Sequence, residues 1–220
     1  MKNLLLSLAF IVCNLTVYGQ QLEAGFLIGY GANNIGDYTS DATLIVIGNE
    51  LWDVTYGASA LYYFKNPGEE ATGRVGLILQ HSTRGSVSEA YPNSRFKFAA
   101  NTVGLFGGAA ADVGDGFILY IDGGLGFTFM DNQPFYRGGR TQLEAFEDLD
   151  EELSIKDHQI SFIFDMGVEK NLAKDILKIF LGVTGDAGIS KVSEGSSSLR
   201  TQALWLSGGV RYIFPLKRKE

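Results

Sequence analysis

The chain has 220 residues, enough for one domain with a sizeable core, and no composition shift marks a second. It is 45% hydrophobic and 12% aromatic, with 28 glycines and only 20% charged residues, which is too apolar for a disordered chain. The formal charge of -7, without a basic stripe, excludes nucleic acid and anionic lipid head groups as main partners.

At the N-terminus, Lys2, the apolar residues 4–12 and the small Gly19 after Val17-Tyr18 predict a secretory signal over residues 1–19. Residues 20–220 are then the mature domain. The apolar run is too short to span a bilayer as a helix. The single cysteine, Cys13, follows Phe10-Ile11-Val12, without the small preceding residue of a lipoprotein signal. A mature chain without cysteine has neither a disulfide framework nor a thiolate metal site. No later stretch holds eighteen uninterrupted apolar residues, so any membrane crossing is made by strands.

Eight segments alternate with a period of two. In the first, Leu22, Ala24, Phe26, Ile28 and Tyr30 oppose Glu23, Gly25, Leu27, Gly29 and Gly31. The second sets Trp52, Val54, Tyr56, Ala58, Ala60, Tyr62 and Phe64 against Asp53, Thr55, Gly57, Ser59, Leu61 and Tyr63. The third opposes Val75, Leu77 and Leu79 to Gly76, Ile78, Gln80, Ser82 and Arg84. The fourth, residues 96–108, starts with Phe96 and Phe98 against Lys97 and blurs after Ala99-Ala100, where a bulge is expected. The fifth is regular, with Phe117, Leu119, Ile121, Leu125, Phe127 and Phe129 opposite Ile118, Tyr120, Asp122 and Thr128. In the sixth, Ile160, Phe162, Phe164, Met166 and Val168 face away from Ser161, Ile163, Asp165 and Glu169. The seventh sets Leu177, Ile179, Leu181 and Val183 against Lys178, Phe180, Thr184 and Asp186. The eighth sets Leu204, Leu206, Val210, Tyr212 and Phe214 against Ala203, Trp205, Ser207, Gly209 and Arg211.

Connections alternate between short turns, at Pro67-Gly68, Gly114-Asp115-Gly116 and residues 171–175, and longer loops, the longest over residues 130–157. The apolar run at residues 42–47 is read as an extension within the first long loop rather than a ninth strand, which would send the C-terminus to the wrong side. An even strand number with short turns on one side and long loops on the other predicts a closed all-β antiparallel up-and-down barrel of about eight strands in an outer membrane.

A soluble ligand-binding barrel also alternates, but its polar face meets water and carries many Lys and Glu. Here that face is mostly Gly, Ser, Thr and Ala, which suits the crowded interior of an eight-stranded barrel. The other face carries bulky aliphatics with Trp52, Tyr62, Phe64, Phe129 and Tyr212 near segment ends, where aromatic girdles belong.

Residues 80–85, 117–126 and 160–169, together with the closing Leu206-Ser207-Gly208-Gly209-Val210-Arg211-Tyr212-Ile213-Phe214, resemble the PorT-like outer-membrane β-barrel family over nearly the whole mature chain. The resemblance implies location and fold; its members share no one activity. The ending Tyr212-Ile213-Phe214 is similar to the signal by which barrel-assembly machinery recognises its clients, although residues 215–220 follow it. Outer-membrane lipid and that machinery are the implied partners.

Glu23, Asp53, Asp122, Asp165, Glu169 and Asp186 share the polar faces with Arg84, Lys97, Lys178 and Arg211. Buried charges require partners or hydration. The sixth hairpin places Glu169 near Lys178, and closure of the first strand on the eighth places Glu23 near Arg211. A lumen filled by such pairs, as in small OmpA-like barrels, is plugged. Catalysis is the rival class: barrels that deacylate lipid A carry His-x-Ser on an outer face, where this chain has His81-Ser82-Thr83 and no evident carboxylate partner. His158 has no ligand-like neighbours. In the longest loop, Asp148, Asp150 and Glu152 mimic the opening of a calcium loop, but Leu153 replaces its glycine. With Leu143, Phe146 and Leu149 this stretch instead reads as a short amphipathic helix, and Phe146, Glu147, Asp148 and Asp150 are the candidate contacts for an envelope partner. No cofactor, metal or catalytic residue is expected.

Overall fold

The computed structural model describes residues 21–38, 44–46, 49–65, 71–87, 95–131, 135–137, 156–172, 176–192 and 199–215. The predicted signal and the acidic stretch with Phe146, Glu147, Asp148 and Asp150 lie outside the described residues. Among the described residues, ten strands run in chain order: β1 (Gln21–Tyr38), β2 (Leu44–Val46), β3 (Asn49–Tyr63), β4 (Thr72–Val87), β5 (Arg95–Gly114), β6 (Phe117–Met130), β7 (Phe135–Arg137), β8 (His158–Leu172), β9 (Leu177–Gly188) and β10 (Leu199–Pro215). Eight are long, and each long strand pairs antiparallel with its neighbour in the order β10-β9-β8-β6-β5-β4-β3-β1. The first then pairs with the last, from Gln21↔Pro215 to Asp37↔Leu199, and the sheet is a closed barrel. Closure matters physically because an open edge would leave a row of backbone N–H and C=O groups unpaired in an apolar medium.

The two short strands lengthen existing ladders. β2 pairs with Gly36, Asp37 and Tyr38 of β1, above the point where β3 joins the same strand, so Leu44–Val46 continues the wall outward as expected of the first long loop. β7 does the same against Arg95, Phe96 and Lys97 of β5. At the opposite end the β5–β6 turn is tight, and Gly114, Asp115 and Gly116 all adopt positive φ, at 103°, 55° and 74°. Two glycines flanking an aspartate supply a backbone that other residues would enter only with strain.

The bulge expected after Ala99-Ala100 is not there. β5 pairs without interruption from Ala100↔Met130 to Asp112↔Ile118, and the register shifts instead between Asp112 and Gly114, beside the tight turn. A second irregularity separates Glu50 from Tyr56 on β3. The blurred alternation at Ala99-Ala100 reflects inward alanine and phenylalanine: Ala100 and Phe98 are both buried, in a cluster with Ile35, Met130 and Val192.

Parity sorts the side chains. Phe26 (77% exposed), Leu105 (67%), Ile28, Leu119, Ile121, Leu125, Leu181 and Leu206 all lie on the outside of the barrel. The interior holds Leu27, Ile78, Phe106, Ile163 and Phe180 in one cluster, together with buried Arg, Lys, Glu and Asp. Glycine makes room for the larger inward groups. A Cβ on Gly182 would stand 2.4 Å from the Tyr120 hydroxyl and one on Gly167 2.8 Å from it, so this tyrosine occupies space that only glycine leaves free.

Candidate functional site

The lumen is built in layers. In the half nearer the tight turns, Glu169 of β8 is the hub, 1% exposed. Its Oε2 accepts hydrogen bonds from the Tyr63 hydroxyl at 2.9 Å and from Lys178 Nζ at 3.0 Å. Its Oε1 accepts from Arg74 Nη1 at 2.7 Å and from Arg211 Nη1. Four donors fill the acceptor capacity of one carboxylate. Arg74 also grips Asp122 with one edge of its guanidinium, Nε donating to Oδ1 at 2.8 Å and Nη2 to Oδ2. Lys178 reaches a second carboxylate, Glu23, to which the Gln21 amide also donates. Three cations from β4, β9 and β10 therefore face three carboxylates from β1, β6 and β8. Aromatic faces complete the shell, with the Arg74 guanidinium 4.1 Å from the Tyr120 ring centroid and that of Arg211 3.9 Å from Phe180.

The half nearer the loops is chemically leaner. Arg84 Nη2 donates to Asp186 Oδ2 at 2.9 Å, and Ser161 donates to the same oxygen at 3.2 Å. The guanidinium lies 4.8 Å from the Trp205 ring centroid. Neutral bonds hold the rest: Thr102 to Thr128 at 2.8 Å, Gln80 to Thr55 at 2.8 Å, and Thr201 to Gln159. Between the halves, Asp165 accepts from Thr184 at 3.1 Å. A void of about 20 Å³ beside it, lined by Ile78, Gln80, Phe106, Asp122, Ile163 and Thr184, is the size of a single water.

The structure places Glu23, Asp122, Asp165, Glu169, Lys178, Asp186 and Arg211 on the interior face. Glu169 and Lys178 meet as their hairpin suggests, but the expected Glu23–Arg211 contact is replaced. Gly25 stands opposite Arg211 and Ile213 opposite Glu23, so Arg211 turns to Glu169 and Glu23 to Lys178. Sequence reading missed Arg74, which precedes the alternation counted from Val75, and the tyrosine hydroxyls of Tyr63 and Tyr120. An Arg on the same parity as Gly76 and Ile78 was the available signal.

The two histidines are on the wall. His81 Nδ1 lies 2.9 Å from Asn101 Oδ1, and its ring stands 4.9 Å from that of Tyr56. His158 stacks on Phe127 at 5.7 Å. Tyr30 and Trp52 touch at the same loop end, while Tyr212 and Phe214, and Tyr62 and Phe64, pair edge to face at the turn end. Aromatic rings at both rims, aliphatics between them and charge confined to the interior and the rims invert the plan of a soluble barrel. The chain is a small eight-stranded β-barrel of the outer-membrane class, built to sit in a bilayer.

No protein-family model matches the sequence, and no curated protein does. Among solved structures, the outer membrane protein OprG from Pseudomonas aeruginosa is similar at 11% identity, covering 90% of this chain and 96% of that one, with a TM-score of 0.45. Ail of Yersinia pestis, solved in complex with the heparin analogue sucrose octasulfate, is 13% identical over 87% of this chain and 99% of its own, with a TM-score of 0.41. The outer membrane protease OmpT from Escherichia coli is 9% identical over 88% and 97%, with a TM-score of 0.41.

Proposed function

We propose that this protein is a non-enzymatic outer-membrane barrel with a plugged lumen, serving the envelope as a structural element or through binding at its outer loops. The observation that carries this reading is the six-membered ionic cluster around Glu169, which ties together side chains from β1, β4, β6, β8, β9 and β10. Side chains bonded to one another from opposite walls support a lumen closed to hydrated solutes. Breaking any one of these pairs strands a charge in a poorly hydrated interior at a cost of about 3–5 kcal/mol, so the plug has no easy way to open.

Reconstitution into planar bilayers tests the closed lumen. The purified barrel gives no defined conductance steps, and stable channels overturn the reading. The loop role rests on the aromatic and acidic run Phe146, Glu147, Asp148 and Asp150. Deleting residues 138–155 leaves heat-modifiable gel migration intact and abolishes cross-linking to an envelope protein at the cell surface. The resemblance to PorT-like barrels fits this role without adding an activity. Barrel-assembly machinery is the proposed partner during biogenesis, read through Tyr212-Ile213-Phe214, and membrane lipid the partner afterwards.

A further inference from the structure

On most of the wall the outward positions are apolar to the rim, but on β4 and β5 the apolar series stops at Leu79 and Val103, and the next outward pair is His81 and Asn101. They stand side by side in the ladder and bond through Nδ1 and Oδ1. With Asn101 Oδ1 as the acceptor, His81 Nδ1 is the donor, which leaves the imidazole Nε2 as an acceptor and the Asn101 amide NH2 as the remaining donor. Polar groups at the edge of a hydrocarbon layer are costly unless something there satisfies them.

Directly below this pair the wall is hollowed. A depression of about 380 Å³ is lined by Phe26, Tyr56, Ala58, Leu79, His81 and Val103. A second, of about 320 Å³, continues it toward the turn end and shares Phe26, Ala58 and Leu79. The floor is the outward row of β3, at Ala58 and Ala60, and the banks are Phe26 on β1 and Leu77 and Leu79 on β4. From Ala60 to Tyr56 the groove runs roughly 14 Å at about 3.4 Å per strand residue, and it is one strand wide, about 10 Å between the flanking strands. That is the width of one extended hydrocarbon chain between two banks, and a dozen methylenes fill its length.

We propose that this groove is a specific lipid site, occupied by one ester-linked acyl chain of an outer-leaflet lipid, with the ester carbonyl held by a hydrogen bond from the Asn101 amide NH2, which His81 orients through the amide oxygen. The occupant follows from the arrangement: an apolar slot that runs along the strands, headed by an amide donor where the hydrocarbon gives way to the interface. A second barrel copy would present side chains to the slot but no carbonyl at its head. The larger depression on the β6–β8–β9 wall, lined by Leu119, Ile121, Met166, Val168 and Leu181, has no such polar head and carries no equivalent assignment.

The site rests on the membrane reading, and the two fail separately. The full barrel, extracted in mild detergent, is titrated with diacyl phosphatidylglycerol and with its dialkyl ether analogue, which lacks the carbonyls, and retained lipid is counted by native mass spectrometry. One diester lipid is retained at least tenfold more tightly than the ether. Ala58→Phe, which fills the slot, removes the adduct. Asn101→Ala lowers diester retention to the ether level without changing the ether. Phe26→Ala, which removes one bank, weakens both lipids and serves where Ala58→Phe fails to fold, each variant being checked by heat-modifiable migration. Equal retention of diester and ether by the unaltered protein, or a dimer dispersed by Ala58→Phe, overturns the lipid site. A chain that stays dissolved without detergent overturns the membrane reading instead.

Discussion

The two halves of the lumen solve the same problem with different chemistry. Near the turns, six charges and Tyr63 form one hydrogen-bonded network around Glu169, with the Tyr120 ring against Arg74. Near the loops, the one fully buried pair among the described residues, Arg84–Asp186, sits among hydroxyl and amide bonds, with a half-buried Lys97–Asp53 pair nearby and the apolar cluster of Ile35, Phe98, Ala100, Met130 and Val192 above. The lower half is rigid by interdependence: each cation bonds a carboxylate that another cation also bonds or that an aromatic face shields. The upper half is modular, so its parts can be changed one at a time.

Removing the hub breaks the contrast most severely. Glu169→Ala deprives Arg74, Lys178 and Arg211 of a shared counter-charge, and urea unfolding in lipid vesicles should show a loss of about 5 kcal/mol, the upper end for a broken buried pair. A loss near 1 kcal/mol would mean that the network is hydrated filler. In the upper half, Asp186→Leu alone should cost about 3 kcal/mol, whereas the double change with Arg84→Met should restore most of it, since a buried pair is often replaceable by apolar residues of similar volume. The corresponding double change in the lower half, Arg74→Met with Asp122→Leu, should recover little, because Glu169 and Tyr63 also lose a partner.

The wall sharpens the same comparison from outside. Leu125→Arg, at an outward position of β6, should destabilise the bilayer-inserted barrel by about 2–3 kcal/mol and leave the interior unchanged, as read by the same unfolding titration. Smallest is Thr102→Val, which removes one neutral bond to Thr128 at a cost of about 1 kcal/mol. Were Thr102→Val to cost as much as Asp186→Leu, the upper half would be as interdependent as the lower.

Parity along each strand was legible without coordinates. Phe26, Leu125, Leu181 and Leu206 face out, and Glu23, Asp122, Glu169 and Arg211 face in, because a strand's side chains alternate strictly and one face of this barrel is overwhelmingly apolar. The turn at Gly114-Asp115-Gly116 was equally plain, since few residues other than glycine accept its backbone. The Ala99-Ala100 stretch misled because small inward residues weaken the alternation without disturbing the ladder.

Which inward charge meets which was decided only by closure. Glu23 and Arg211 lie on paired strands near the same end, yet the register sets Arg211 against Gly25, and each charge finds its partner elsewhere: Glu23 at Lys178 on β9, Arg211 at Glu169 on β8. Arg74 reaches β6 and β8 across the lumen from β4. The sequence alone determined a strand's two faces, because that is a local property of period two. The meeting of side chains across a narrow barrel depends on strand tilt and stagger, which no single strand encodes.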